Sequence, residues 1–150
     1  MKIDIEQLKL LTEQRGTHIP LLNHLGFRYC PPENGEGSGH IALRVGDGHV
    51  NALKSTHGGV VMTLLDVAMA MSASYADEQK RGVVTIEMKT SFLSPGGEIG
   101  EVIEAIGSVR RHTRSIAFCE AELRNSHGGV VATASGTFKY VNRPLAAADA

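Results

Sequence analysis

Residues 58–76 read GGVVMTLLDVAMAMSASYA, a run of almost wholly apolar or small residues with one charged side chain at its centre, Asp66. A helix apolar on nearly all sides has no face to offer water, so the rest of the chain must enclose it. The carboxylate inside that run is then the anomaly, because an acid is almost never buried without a partner or a reward. Catalysis is the usual reward, and the bland alternative is a structural pairing of Asp66 with a basic side chain of the surrounding sheet. The run opens with His57-Gly58-Gly59, small residues at a helix start whose backbone N–H groups are free to meet a ligand oxygen.

What encloses this helix follows from the rest of the chain. At 150 residues it has the length of a single domain over 1–150. Asp4 is a plausible N-cap for a first helix running to Gln14 and stopped at Gly16, and Pro20 opens a short apolar turn, so residues 1–25 form an N-terminal helical segment. Strand patterns cover 26–30 and 39–45, then 82–92, 98–112, 115–125 and 130–141, separated by Pro/Gly/Asn-rich turns. Residues 143–150 read as a frayed tail. Strands, one long helix, then four strands in hairpin order give an α+β domain, with a curved antiparallel sheet wrapped around one central helix.

Composition excludes several function classes. A net charge of −1 gives no reason to expect nucleic acid or an anionic membrane as partner. Cys30 and Cys119 stand alone and the seven His residues show no ligand spacing, so neither a disulfide framework nor a zinc or other metal site is expected. The N-terminus has no signal-peptide pattern. Residues 58–76 are long enough to cross a membrane, but the central Asp66 and the strand-rich remainder argue against it, and the expected location is the cytoplasm.

Asn51, His57-Gly58-Gly59 and Asp66, followed by the strand 83–92 and Ser94-Pro95, form a spaced pattern that resembles the hotdog-fold acyl-CoA thioesterases, in particular the phenylacetate-pathway-type branch. The resemblance spans nearly the whole chain. It implies a hotdog fold, hydrolysis of an acyl-CoA thioester to free acid and coenzyme A, and no cofactor. It implies that the backbone N–H of Gly59 holds the thioester oxygen and that Asn51 helps orient the carbonyl or the nucleophile. Asp66 would activate water as general base or attack the thioester itself, and Thr85 would face the acid. His57 and Gly58 would belong to the substrate entrance rather than to proton transfer. Arg110, Arg111 and Arg114 are candidates for the phosphates of coenzyme A, which Arg suits well, although Thr113 stands where the family carries Gly. Met62, Met69, Met71 and Phe92 are candidates for an apolar acyl pocket, or plain core.

Helical geometry adds a constraint. Gly59 and Asp66 lie seven residues apart, about 10 Å along one helix axis, whereas reacting groups must close to about 3–3.5 Å. Two antiparallel helices related by a two-fold axis would set Gly59 of one beside Asp66 of the other. This agrees with the homodimer with shared active sites that the resemblance implies, itself expected to pair into a dimer of dimers. Two other functions are open: a hotdog hydratase or dehydratase, for which no GHFPG-like run exists here, and a non-catalytic acyl-CoA-binding module, which would not need Asp66. The second HGGVV, at 127–131, is followed by a strand-like alternation without an acid and reads as a hairpin turn.

Overall fold

The computed structural model describes residues 3–11, 13, 19–31 and 37–142. Six antiparallel strands form one sheet, in the spatial order β1 (Arg28–Tyr29), β2 (His40–Arg44), β4 (Val102–His112), β5 (Ile116–Arg124), β6 (Val130–Val141) and β3 (Gly82–Phe92). A short helix α1 (Pro20–Leu25) precedes the sheet, and the long helix α2 (Gly58–Ala76) lies against β2 to β6. This is the hotdog arrangement expected from the sequence.

The strands pattern as half-buried strands should. Along β6, Ala132, Ala134, Gly136, Phe138 and Tyr140 are buried, alternating with Thr133, Ser135, Thr137 and Lys139. The inward residues of β4 and β5 are mostly small, and this lets the helix seat deeply. A Cβ on Gly107 would lie 2.4 Å from the Ala68 carbonyl oxygen, and one on Gly39 only 1.8 Å from it, so neither position admits a side chain. Ser72 Oγ completes the seat, donating to Ala68 O at 3.0 Å and accepting the Gly39 N–H at 2.8 Å. Leu64, Leu65, Met69 and Met71 then join Phe27, Ile41, Leu43, Ile103, Leu123 and Phe138 in the core. Met69 and Met71 are thus core residues, because the helix turns them into the sheet.

Several expectations change. The first helix is interrupted: a 3-10 turn at Ile5–Gln7 ends where Leu8 turns extended (φ −84°, ψ 141°) and Leu10 bridges to Arg28, and Leu11 and Glu13 are again helical. The proposed end at Gln14 and stop at Gly16 lie outside the described residues, as does the tail at 143–150. The strand expected from residue 98 begins at Val102, since Glu98–Glu101 close a turn with Gly100 at φ 95°. Both cysteines are buried free thiols. Burial and the nearby Glu104 carboxylate push Cys30 up to about 12, and burial alone pushes Cys119 to about 11. Neither is a thiolate near neutrality.

The largest correction concerns enclosure. The sheet covers one side of α2, while Met62, Thr63, Asp66, Val67 and Ala70 on the other flank stay half-buried and Gly59 is exposed. Asp66 is therefore not sealed within a single protomer. The helix is long and apolar enough to cross a membrane, but half of its apolar window is buried within the fold, as a core helix requires.

Candidate active site

The loop that leads into α2 is pinned before it reaches the helix. Val50 bridges to Thr56, Asn51 N–H donates to Ser55 O at 2.8 Å, and Thr56 N–H donates to Gly97 O at 2.9 Å. Asn51 Oδ1 accepts the N–H groups of Leu53 (2.9 Å) and Ser55 (3.2 Å). Such a side-chain-to-backbone closure is an Asx turn. It has a chemical consequence: with the oxygen engaged, the end of the Asn51 amide without a partner among the described residues is Nδ2, a pure donor. His49 anchors the loop from beneath, its Nδ1 accepting Gly46 N–H at 2.9 Å and its Nε2 donating to Leu25 O at 2.8 Å.

His57 is the N-cap of α2. Its backbone is extended (φ −61°, ψ 138°) and its Nδ1 accepts the N–H of Gly59 at 2.9 Å. N-cap side chains take the amide of the second or third helical residue, and here it is the second. The Gly59 N–H is thereby occupied. The N–H of Gly58, the first helical residue, has no acceptor among the described residues, and it sits at the positive end of a 19-residue helix dipole. Among the described residues, the N–H without an acceptor is therefore that of Gly58, next to the Gly59 that the resemblance implies. The signal was legible in the sequence, since a His at the N-cap brings its own acceptor.

Gly58 and Asn51 both line a cavity of about 290 Å³. Its other walls come from the 53–56 loop, the first turn of α2 at Val61, the end of β3 at Phe92, the Ser94–Gly96 turn, and Val131 and Ala132 of β6. The Phe92 ring flanks the helix start, 3.5 Å from where a Gly58 Cβ would be. Of the four residues proposed as an acyl pocket, only Phe92 lines this one. Val61, Val131 and Ala132 carry no such mark in the sequence, because their convergence depends on the register that sets Phe92 opposite Ala132.

Asp66 lies elsewhere. It sits two turns along α2, about 12 Å from Gly58 on the helix axis, and is not among the residues lining that cavity. The Thr85 hydroxyl donates to Asp66 Oδ1 at 2.7 Å. Thr85 flanks a bulge in β3, where the pairing with β6 shifts between Thr85 and Glu87. Bulges re-aim side chains, and here the hydroxyl meets the helix acid.

The arginines are not gathered at the cavity. Arg110 is the extra residue of a bulge in β4 and approaches Glu120 at 3.6 Å. Arg111 and Arg114 are exposed by the β4–β5 turn. That turn packs beside the C-terminal end of α2, where Arg81 Nη2 donates to Arg114 O at 2.8 Å. Arg81 itself caps the helix end by pairing with Asp77 (2.9 and 3.0 Å) and lies 4.7 Å from the Tyr140 ring centre.

A family model described as the thioesterase superfamily matches residues 53–132, more than half of the chain and all of α2 and β3 to β5. The chain belongs to the thioesterase superfamily. A Pseudomonas aeruginosa protein named as a candidate esterase is 29% identical over 119 residues, 79% of this chain and 87% of that one. The mouse protein acyl-coenzyme A thioesterase 13 is 29% identical over 87 residues, 58% of this chain and 61% of that one. The solved structure of the Escherichia coli PaaI protein, from the phenylacetic acid degradation operon, superposes with a TM-score of 0.73 at 22% identity, covering 83% of this chain and 86% of that one, and so shares its fold. Membership of the thioesterase superfamily makes this chain a hydrolase. Within one protomer of this superfamily member, the open donors and the acid stand at separate places along the same helix.

Proposed function

We propose that this chain is an acyl-CoA thioesterase, releasing a free carboxylic acid and coenzyme A without a metal or organic cofactor. The observation that carries this reading is the pair of unengaged donors, Gly58 N–H and Asn51 Nδ2, at the mouth of an apolar cavity. A thioester carbonyl held there would have its growing negative charge met by fixed donors and a helix N-terminus in the transition state. Asp66, oriented by Thr85, serves as general base, taking a proton from water as the oxygen attacks the carbonyl carbon. Direct attack by the carboxylate is the alternative chemistry. In the first route the tetrahedral intermediate collapses with loss of the coenzyme A thiolate, which recovers a proton. His57 and Gly58 shape the entrance.

The axial offset between donors and acid supports a site completed by a second subunit. The free edge of β3 supports one: it ends the sheet, and it carries exposed Val84 and Ile86, with exposed Phe92 and Leu93 at its end. An unprotected apolar edge strand invites pairing with another copy. Antiparallel pairing of β3 with β3 about a two-fold axis sets two α2 helices side by side in opposite directions. It also covers the half-buried flank and brings Asp66 of the partner subunit toward Gly58. The same operation carries the Arg110–Arg114 turn of the partner subunit toward this entrance, where it would meet coenzyme A phosphates. Association of dimers into a tetramer completes the proposal, with exposed Phe118 on the outer face as a contact. The soluble fold supports the cytoplasm as the place of action.

The test is hydrolysis of coenzyme A thioesters by the purified protein, followed by thiol release. Asp66→Asn keeps size but removes basicity and nucleophilicity, and turnover should fall by about 10²-fold or more with assembly intact. Unchanged turnover would remove Asp66 from the mechanism. Tight binding with no hydrolysis by the unmodified protein would indicate a binding module instead.

A further inference from the structure

The cavity behind Gly58 has a rim and a floor of different character. Leu53, Phe92, Ser94 and Pro95 at the rim are exposed, while Thr56, Val61, Gly96, Val131 and Ala132 at the floor are buried. The floor is formed by buried residues. A Cβ on Gly96 would already lie 3.2 Å from both Thr56 Cβ and Val61 Cγ2, so the floor is tightly packed at that point. Two polar atoms of the walls are engaged, Thr56 Oγ1 donating toward Gly97 O (2.9 Å) and Gly96 O (3.3 Å) and Asn51 Oδ1 held by its own loop, while the buried Ser55 Oγ has no partner among the described residues. Among the described residues, no charged side chain lines the cavity. It is a largely apolar pocket with two open donors, Gly58 N–H and Asn51 Nδ2, on residues at its mouth and one unpaired neutral hydroxyl, that of Ser55, in its wall.

We propose that this pocket receives the acyl chain and limits the substrate to neutral, medium-length acyl groups, with Val61, Phe92 and Ala132 setting the limit. The ligand's identity as an acyl chain rests on the thioesterase reading, whereas its size and polarity come from the pocket. An apolar protein cavity of about 150 Å³ holds a benzene ring. The volume here is about twice that, part of it at the mouth, so the pocket accommodates an acyl group of about six to ten carbons. A longer chain meets the floor and must leave carbons in water. A chain ending in a carboxylate would bury a charge with no counter-charge in the lining. Phe92 stands over the helix start as a movable side wall, Val61 is the floor on α2, and Ala132 faces the ring from the neighbouring strand.

The experiment compares a series of coenzyme A thioesters (acetyl, butanoyl, octanoyl, hexadecanoyl, and an eight-carbon chain ending in carboxylate) by kcat/KM. In parallel, calorimetry measures binding of the non-hydrolysable thioethers S-butyl-CoA and S-octyl-CoA. The unmodified protein should prefer octanoyl to both acetyl and hexadecanoyl, and to its carboxylate-ended analogue, by about tenfold or more. Ala132→Leu should lower the octanoyl-to-butanoyl ratio, and the S-octyl-to-S-butyl affinity ratio, by about tenfold. Val61→Ala should move the optimum to longer chains. Phe92→Ala, a change at a half-exposed side chain with little bearing on folding, should admit bulkier ones. A chain-length profile identical in folded Ala132→Leu, Val61→Ala and Phe92→Ala would overturn the proposal, as would equal use of octanoyl and hexadecanoyl thioesters. If thioethers bind with the expected length dependence but no thioester is cleaved, the pocket stands and the hydrolase mechanism falls. If thioesters are cleaved but the variants do not shift length preference, the mechanism stands and the pocket falls.

Discussion

The Thr85 hydroxyl donates to Asp66 Oδ1 at 2.7 Å, joining the free-edge strand of the sheet to the uncovered flank of the central helix. The bond fixes one carboxylate oxygen and leaves the other to face whatever covers that flank. If Asp66 is the base, removing the hydroxyl should mis-orient it without abolishing it. Thr85→Val is expected to lower kcat about tenfold with little change in KM, and Thr85→Ser to restore most of the loss. Steady-state kinetics on one thioester decide it, and equal behaviour of the two variants would show that the hydroxyl plays no part.

Gly58 offers a way to delete one backbone donor while keeping the helix. Proline is tolerated at the first helical position, and His57 already has the extended backbone that a residue before proline requires. Gly58→Pro is expected to lower kcat by about 10²–10³-fold, the effect of losing one oxyanion donor. Gly58→Ala keeps the N–H, and its Cβ meets Phe92 at an ordinary 3.5 Å, so it should be far less damaging. Matching losses in both variants would point to crowding rather than to the N–H.

A site shared between subunits makes a distinctive prediction for mixed dimers. Asn51→Ala/Gly58→Pro and Asp66→Asn are each expected to be inactive. A heterodimer of the two collects all the damage in one site and leaves the other intact, so subunit exchange should restore up to about half the activity of an unmodified dimer. Confirmed exchange by mass spectrometry without recovery would mean that each site draws on one chain only.

Acid stability should depend on Asp77 at the other end of the helix. Hydrogen bonds from Arg81 hold its carboxyl below the ordinary 3.8, with burial opposing and the positive charges of Arg81 and His112 assisting. A carboxyl with a lowered folded-state value stabilises the fold above its unfolded value, and that contribution is lost as pH falls through the folded one. The unmodified protein should therefore lose melting temperature more steeply than Asp77→Asn as pH drops below about 4, with the curves running parallel above about pH 6. Parallel curves throughout would remove Asp77 from acid unfolding.

Much of the fold was legible along the chain. The limits of β3 and β6 fall at 82–92 and 130–141, where the apolar alternation and the turn residues place them, and α2 occupies the apolar run. These segments depend on local periodicity and on punctuation by Gly, Pro and Asn, and a linear sequence records both. The interruption of the N-terminal helix at Leu8–Leu10 was not legible, for the converse reason. The segment's apolar spacing suits a helix, but the backbone of Lys9 and Leu10 is drawn into pairing with the β1 region, a tertiary bond that outweighs a weak local preference.

The two copies of HGGVV mark where sequence stops deciding. At 57–61 the second glycine gives its N–H to His57 Nδ1 and a helix begins, whereas at 127–131 the second glycine gives its N–H to Asn125 Oδ1 and a hairpin closes. Neighbouring residues settle that difference: an Asn four positions before one glycine, and a long apolar run after the other. What lay beyond reach was spatial. The exposure of Asp66, its bond to Thr85 through a bulge, and the meeting of Val61, Phe92 and Ala132 in one pocket arise only from register between distant strands and the depth at which α2 sits on Gly107. Local sequence determined which segments become helix and strand, because their patterns repeat within a few residues. The tertiary structure decided which side chains face one another, because those distances depend on pairing across the whole chain.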